Sequence, residues 1–269
     1  MTSALFLRDG DLFIPTDAAR GPWNPDYLHG GPVTGLAAHA LTQAAAGAGL
    51  RLARLTVDLL RPVPQAPLRA ETRLVRPGKR LQVLEVSLFT GDTEVTRASG
   101  LFLEQSSIPV PEHGRFPASE DVPPAASEAA SLSDAAGWGR RYSPHGFHTT
   151  AEAVVLAGAQ GGGHGRVWMR LPLPLVAEQS TDSLVAAATL CDFGNGVGQL
   201  HLGERLGSIN TDVTLYLHRP PEGQWVGLDS RSHMQETGMG LVETALFDGR
   251  GPFGRVLQAT IAMAIPGEG

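Results

Sequence analysis

The sequence repeats itself at a fixed offset of 158 residues. The dipeptide Arg61-Pro62 recurs as Arg219-Pro220, and each copy closes a run in which apolar and polar residues alternate. The same offset, applied without a gap, aligns further identical residues: Thr56 with Thr214, Leu59 with Leu217, Arg73 with Arg231, Glu85 with Glu243, Leu88-Phe89 with Leu246-Phe247, Gly91 with Gly249 and Arg97 with Arg255. A supersecondary unit that occurs twice predicts two similar halves.

Each copy has the pattern of antiparallel strands. Apolar and polar residues alternate over 54–59 and again over 209–217, a period of two that indicates a half-buried strand. Further apolar runs, joined by turn sequences such as Thr90-Gly91-Asp92, follow at 82–89 and 96–103 in the first copy and at 240–247 and 253–264 in the second. Each half is therefore predicted to contain a meandering sheet.

One apolar helix precedes the strands in each half. The first is predicted from Pro32 to about Ala46, because its apolar residues share one stripe and Pro32 suits the first helical position. The second follows the capping cluster 180–183 and carries apolar residues at helical spacing as far as Cys191. Both helices are apolar enough to be buried.

The two copies are separated by a segment rich in Pro, Ala, Ser and acids, a composition typical of an exposed linker. The chain is accordingly divided into an N-terminal domain (1–110), a linker (111–135) and a C-terminal domain (136–269). One buried helix wrapped by an antiparallel sheet is the hotdog arrangement. The predicted fold class is α+β, a tandem hotdog in which one chain reproduces the dimer that single hotdogs form.

Composition narrows the classes of function. With 42% hydrophobic residues and a net charge of −6, the chain has the balance of a globular protein and lacks the basic surface of a nucleic-acid binder. No apolar stretch approaches the length of a membrane span, and the N-terminus does not resemble a signal peptide. A single cysteine, Cys191, allows no intrachain disulfide. We expect a cytoplasmic protein without membrane or nucleic-acid partners.

The segment WNPDYLHGGP at the head of the first helix could carry chemistry. Gly30 and Gly31 permit close backbone approach, and a helix start offers unpaired N–H groups to a negative oxygen. His29, Gly30 and Gly31 are therefore candidates for substrate binding and for an oxyanion hole. Two glycines before a proline could equally make only a tight turn into a buried helix, so this alternative stays open.

Here a resemblance to a known family becomes specific. The His-Gly-Gly motif, with Asn24 before it, resembles the hotdog thioesterases, and the segments AAATLCDFGNG and INTDVTLYLHRPPEGQW resemble the acyl-CoA thioesterases of the thioesterase II type. In that family an Asp on the C-terminal helix, a Thr at the start of the next strand and a Gln on the last strand activate the attacking water. The resemblance implies hydrolysis of acyl-CoA without a cofactor, coenzyme A being part of the substrate.

Carried onto this sequence, the family pattern gives the catalytic candidates Asp192, Asn210 and Gln258. Asn210 stands where the family has Thr, and Thr211 follows it; pleating sends the two to opposite faces, and Asn210 is favoured. In the repeat, the counterpart of Gln258 is Gly100, which has no amide side chain. We therefore expect a single set of water-activating residues, in the second half, and we expect it to face His29-Gly30-Gly31. Each of these two residues also has a purely structural interpretation: Asp192 could only cap a turn, and Gln258 could only face solvent at a sheet edge.

Other chemistries have weaker support. No metal site is expected, because nothing fixes the spacing of the scattered histidines, which are His145, His148, His164 and His201. No G-x-S-x-G motif supplies a serine nucleophile, and Cys191 on a buried helix would be a poorly activated thiol. Two rival functions remain: an enoyl-CoA hydratase, whose motif the spacing of Asn24-Pro25 and His29 does not fit, and an acyl-thioester binder without turnover. Acyl length and self-association into a homo-oligomer stay open.

Overall fold

The computed structural model describes residues 4–118, 121–138, 142–203 and 206–264. Its strands are β1 (Phe6–Asp9), β2 (Leu12–Pro15), β3 (Leu50–Asp58), β4 (Leu68–Arg76), β5 (Leu81–Thr90), β6 (Thr93–Glu104), β7 (Ala130–Ser131), β8 (Glu152–Gly158), β9 (His164–Arg170), β10 (Leu206–Asn210), β11 (Asp212–Leu217), β12 (Val226–Met234), β13 (Met239–Asp248) and β14 (Gly251–Ala264). Its helices are α1 (Gly30–Ala44), α2 (Leu132–Ala135), α3 (Phe147–Thr150), α4 (Ser183–Leu190) and α5 (Gly194–Val197), and a 3-10 turn (Cys191–Phe193) joins the last two.

All the strands form one continuous antiparallel sheet, in the order β1-β2-β4-β5-β6-β3-β11-β14-β13-β12-β9-β8-β7, with β10 also paired to β14. Across the sheet, β3 is the last strand of the first half and β11 is the first strand of the second half. These two strands pair with each other and so join the halves. The first half curves around α1, the second half curves around the run from α4 to α5, and α1 packs against α4 in the middle. The predicted tandem hotdog is confirmed.

The strand register reproduces the sequence repeat. At the centre of the junction Thr56 pairs with its own counterpart, Thr214, and their hydroxyl oxygens are 3.4 Å apart. The β5–β6 ladder shifts register between Leu88 and Phe89, and the β13–β14 ladder shifts between Leu246 and Phe247. Because the irregularities fall at matching positions, the repeat is structural and extends through the sheet.

The helices begin slightly earlier than the sequence predicts. Helix α1 starts at Gly30 and not at Pro32, because the side chain of His29 acts as the N-cap and accepts a hydrogen bond from Gly31 N–H. In α4 the cap is Asp182, whose carboxylate accepts from Leu184 N–H at 2.8 Å. Both helices are buried, as predicted. Within the described ranges, no helix is long and apolar enough to cross a bilayer.

Helices α1 and α4 approach closely at two glycines of α1. A Cβ atom on Gly31 would lie 2.5 Å from the carbonyl oxygen of Thr189, and one on Gly35 would overlap the Thr189 hydroxyl. Real Cβ atoms do not approach other atoms this closely, so only glycine allows this helix packing. The glycine after His29 therefore positions one helix against the other.

The segment assigned to the linker differs from expectation at its end. Residues 130–135 form β7 and α2, β7 pairs with β8, and Leu132 is fully buried. Leu132 thus packs this stretch against the second half. The part of the segment without regular strands ends at about residue 129. The first half also reaches across: Phe6 N–H donates to Leu175 O at 2.8 Å. The division into domains stays a prediction.

Candidate active site

Asp192 lies in the 3-10 turn at the end of α4, and its side chain is 4% exposed. The preceding helix is almost entirely apolar and is buried, so the carboxylate that follows it lies in the interior of the protein and not on the solvated surface. A buried carboxylate is costly unless other groups hydrogen-bond to it. The residues around Asp192 are therefore informative about its role.

Two amides of the second half converge on this carboxylate. The side-chain nitrogen of Asn210, at the end of β10, donates to Asp192 Oδ1 at 2.8 Å and to the Asp192 carbonyl at 3.1 Å. The side-chain nitrogen of Gln258, on β14, lies 3.4 Å from Oδ1 and 3.3 Å from the same carbonyl. Gln258 is fully buried, so it does not face solvent at a sheet edge. Among the described residues, the amide oxygens of both side chains have no hydrogen-bond partner.

The first half contributes His29. Its Nδ1 atom lies 2.9 Å from Asp192 Oδ2 and also 3.0 Å from the backbone nitrogen of Gly31. One ring nitrogen cannot donate a proton to Asp192 and accept one from Gly31 at the same time. The position of a single proton therefore decides whether His29 binds the carboxylate or the helix N-terminus.

The glycines of this motif have different roles. A Cβ on Gly30 would lie 2.8 Å from Asp192 Oδ2, so Gly30 allows the carboxylate to approach the start of α1. Its backbone N–H makes no hydrogen bond to the described residues, whereas that of Gly31 binds His29. Pro32 has no N–H to offer. Among the described residues, Gly30 N–H is thus without an acceptor, and Gly31 N–H loses its acceptor only when His29 releases it.

These groups border an open cavity of about 630 Å³. His29, Gly30, Asp192 and Asn210 line it, whereas Gly31 and Gln258 lie behind its wall. Most of the remaining lining is apolar or aromatic, including Trp23, Leu59, Trp138, Tyr142, Ile209 and Met263. A carboxylate on the wall of an apolar cavity of this size suits a ligand with one reactive polar group and an apolar extension.

Two other titratable side chains lie near Asp192, and burial keeps both of them uncharged. Burial and the nearby Asp192 carboxylate raise the pKa of the Cys191 thiol far above its usual range, so Cys191 is not a nucleophile at neutral pH. Burial lowers the pKa of His148 to about 4 despite a hydrogen bond from its ring to Ser143 O. His148 therefore contributes a neutral ring to the cavity wall.

Thr211, the other candidate for the Thr position, does not contact Asp192. Its hydroxyl donates to the Ala259 carbonyl at 3.1 Å, in the break between β10 and β11. Of the histidines considered for metal binding, His164 lies 2.9 Å from an oxygen of Asp229. No group of three metal-binding side chains is found across the ranges that the structure describes.

Sequence reasoning missed part of the site. The rings of Phe147 and Phe193 stack with centroids 4.9 Å apart, and His29 packs against both. These contacts restrict the orientation of the imidazole. Phe193 follows Asp192 directly, which is the only signal in the sequence that could have suggested it; Phe147 belongs to a segment in which the repeat shows no match.

Comparison with known proteins identifies the family. Residues 19–103 match the family model "Acyl-CoA thioesterase N-terminal domain", and residues 117–262 match "Acyl-CoA thioesterase C-terminal domain". The chain belongs to the acyl-CoA thioesterase family. The two models together cover most of the chain, and their order agrees with the two halves of the sheet. No curated protein matches the sequence.

Solved structures show the same fold as this acyl-CoA thioesterase family member. The tesB protein of Mycobacterium avium subsp. paratuberculosis is 16% identical, with a TM-score of 0.64 over 95% of both chains. Acyl-CoA thioesterase II TesB2 of Mycobacterium marinum is 17% identical, with a TM-score of 0.64 over 97% of this chain and 95% of its own. A hot dog protein of unknown function from Alicyclobacillus acidocaldarius is 18% identical, with a TM-score of 0.67 over 96% and 95%.

Proposed function

We propose that this protein hydrolyses fatty or other acyl-CoA thioesters to the free acid and coenzyme A, with Asp192 as the base that activates a water molecule. The observation that carries the proposal is the convergence of Asn210, Gln258 and His29 on one buried carboxylate beside an apolar cavity. Such an arrangement fixes the geometry of a general base. The family to which the chain belongs supports the reaction type.

In the proposed reaction the attacking water is held between Asp192 and the amide side chain of Asn210, which both line the cavity. The amide nitrogens of Asn210 and Gln258 orient the carboxylate, and the amide oxygen of Asn210 can accept a hydrogen bond from the water. Asp192 takes one proton as the water oxygen attacks the thioester carbonyl. When the C–S bond breaks, the same carboxyl group returns the proton to the departing thiolate, and no covalent enzyme intermediate forms.

The oxyanion of the tetrahedral intermediate is assigned to the N-terminus of α1. While Asp192 is ionised, the His29 tautomer with a proton on Nδ1 donates to Oδ2, which releases Gly31 N–H. Gly30 and Gly31 then both present N–H groups at the positive end of a helix. The ionised form of the base and the complete oxyanion site are therefore present together.

Replacing the charge of Asp192 tests this proposal. Asp192→Asn keeps the size of the side chain and removes the proton acceptor, so we expect kcat/KM for acyl-CoA hydrolysis to fall by about 10²–10⁴. Thiol release would be measured over a panel of acyl chain lengths, and thermal unfolding would show whether the fold is retained. Asp92→Asn, in an exposed hairpin turn, is the matched control and should leave hydrolysis unchanged.

Other outcomes point to the rival functions. Unchanged turnover in Asp192→Asn would remove Asp192 from the mechanism. Consumption of an enoyl-CoA without thiol release would indicate a hydratase, and tight binding of acyl-CoA without any product would indicate a binding protein.

A further inference from the structure

Arg61 places a cationic side chain on the wall of the active-site cavity. It follows β3, is exposed, and lines the same cavity as Asp192 and His29. Its guanidinium group makes no ion pair or hydrogen bond with the described residues. The cavity wall, as far as the structure describes it, contains no other Lys or Arg side chain.

In the second copy of the repeat, the arginine that corresponds to Arg61 is paired. The counterpart of Arg61 is Arg219, whose guanidinium binds Asp248 through two hydrogen bonds of 2.6 Å and also donates to Gly251 O at 2.7 Å. In the first copy the position of Asp248 is occupied by Thr90, which has no charge. The same Arg-Pro dipeptide therefore forms a buried ion pair in one half, and in the other it places at the cavity a guanidinium that has no partner among the described residues.

The position of Arg61 relative to the reaction centre is set by the strand junction. Leu59 N–H donates to Thr211 O at 3.1 Å, directly beside Asn210. Two further residues of chain span at most about 7 Å, so the Cα of Arg61 lies within about 12 Å of the Thr211 carbonyl oxygen. The guanidinium group of Arg61 can therefore contact a part of the ligand that is well removed from the thioester.

We propose that Arg61 binds the phosphate groups of the coenzyme A portion of the substrate; the inference rests on the proposed function. The phosphates lie at the far end of the flexible pantetheine arm, away from the thioester. A guanidinium group matches phosphate geometry through paired N–H donors. Because the protein carries a net charge of −6, an anionic substrate benefits from a local cation at the cavity.

The test compares a substrate that carries the phosphates of coenzyme A with one that lacks these phosphates together with the adenosine. Wild type and Arg61→Gln would be assayed with an acyl-CoA and with the same acyl group on pantetheine, which has no phosphate. For acyl-CoA we expect the variant to raise KM about three- to tenfold with kcat within about twofold, since one charged hydrogen bond is lost at an exposed site. For the acyl-pantetheine both constants should be unchanged.

Matched controls exclude a general effect of charge. Arg51→Gln removes another exposed arginine of the first half that lies outside the cavity, and it should change neither substrate's kinetics. Arg61→Lys should recover part of the affinity for acyl-CoA. Added salt should raise the KM of the wild type for acyl-CoA more than that of Arg61→Gln.

Equal increases in KM for both substrates, or no change for either, would overturn the role of Arg61. If the wild type turns over neither substrate, the proposed function fails, and calorimetric titration with coenzyme A itself then tests the binding site. Weaker binding of coenzyme A to Arg61→Gln than to wild type and Arg51→Gln would support the site. Equal binding to all three would overturn it.

Discussion

At the scale of single residues, the two copies of the repeat differ at the positions that we propose for the chemistry. The counterparts of Asn210 and Gln258 are Leu52 and Gly100, which pack in the core of the first half. A side chain at position 100 would have its Cβ 2.8 Å from the Phe102 ring, so an amide cannot be added there without displacing the core. One copy keeps the polar set, and the other supplies the helix N-terminus.

Gln258→Ala tests the amide that lies behind Asp192. The substitution removes a donor that orients the carboxylate, so we expect kcat to fall by about 10–10² with a smaller change in KM. The control is Leu257→Ala, one residue earlier on the same strand and on the outer face of the sheet. A loss of the same size in both variants would mean that β14 had been disturbed generally.

At the scale of elements, the hairpin β13–β14 is stabilised by a buried charge. Asp248 closes β13 and is fully buried beneath Arg219, which is 20% exposed. Burial alone would raise the pKa of Asp248, but hydrogen bonds from Arg219 and from the backbone N–H groups of Glu222 and Arg250 outweigh it and leave the pKa lowered. The ionised form therefore stabilises the turn.

Asp248→Asn should reduce stability in a pH-dependent way. A lowered pKa in the folded state means that the stabilisation is complete above the unfolded pKa of about 3.9 and is lost as the pH falls through the folded value. The difference in unfolding free energy from wild type should be about 3 kcal/mol at neutral pH and shrink below pH ~4. Urea unfolding over a pH series measures it, with Glu243→Gln, in an exposed ion pair, as control. A difference independent of pH would contradict this explanation.

At the scale of the whole molecule, the halves are not independent. The sheet is continuous across β3 and β11, α1 packs against α4, and one core cluster contains residues of both halves. The candidate site combines His29 from one half with Asp192 from the other. The covalent connection through 105–111 lies outside these contacts and is exposed.

Cutting this connection should leave the molecule assembled. With a site for a sequence-specific protease inserted after Ser107, we expect the cleaved protein to elute as one species and to keep its hydrolytic activity, because the junction strands and helices hold the halves together. The uncut insertion variant is the control. Separation of the fragments, or hydrolysis by either purified fragment alone, would contradict a composite site.

Much of this architecture follows from the sequence alone. An ungapped repeat of alternating strands after an apolar helix determines two hotdog halves, because periodicity and turn residues act locally and apply equally to both copies. The family pattern located Asp192 and Gln258 on their elements, and the pleat of the strand separated Asn210 from Thr211. The roles of these residues remain predictions.

Only the tertiary structure decided how these residues meet. The contact between His29 and Asp192 joins positions 163 residues apart, and it depends on helices that approach through Gly31 and Gly35. Whether Gly31 N–H is available is decided by one proton on His29. Whether the arginine of an Arg-Pro dipeptide is paired depends on the residue at the end of a distant strand, which is Asp248 in the second half and Thr90 in the first. Such contacts depend on the packing of distant elements, which local pattern does not encode.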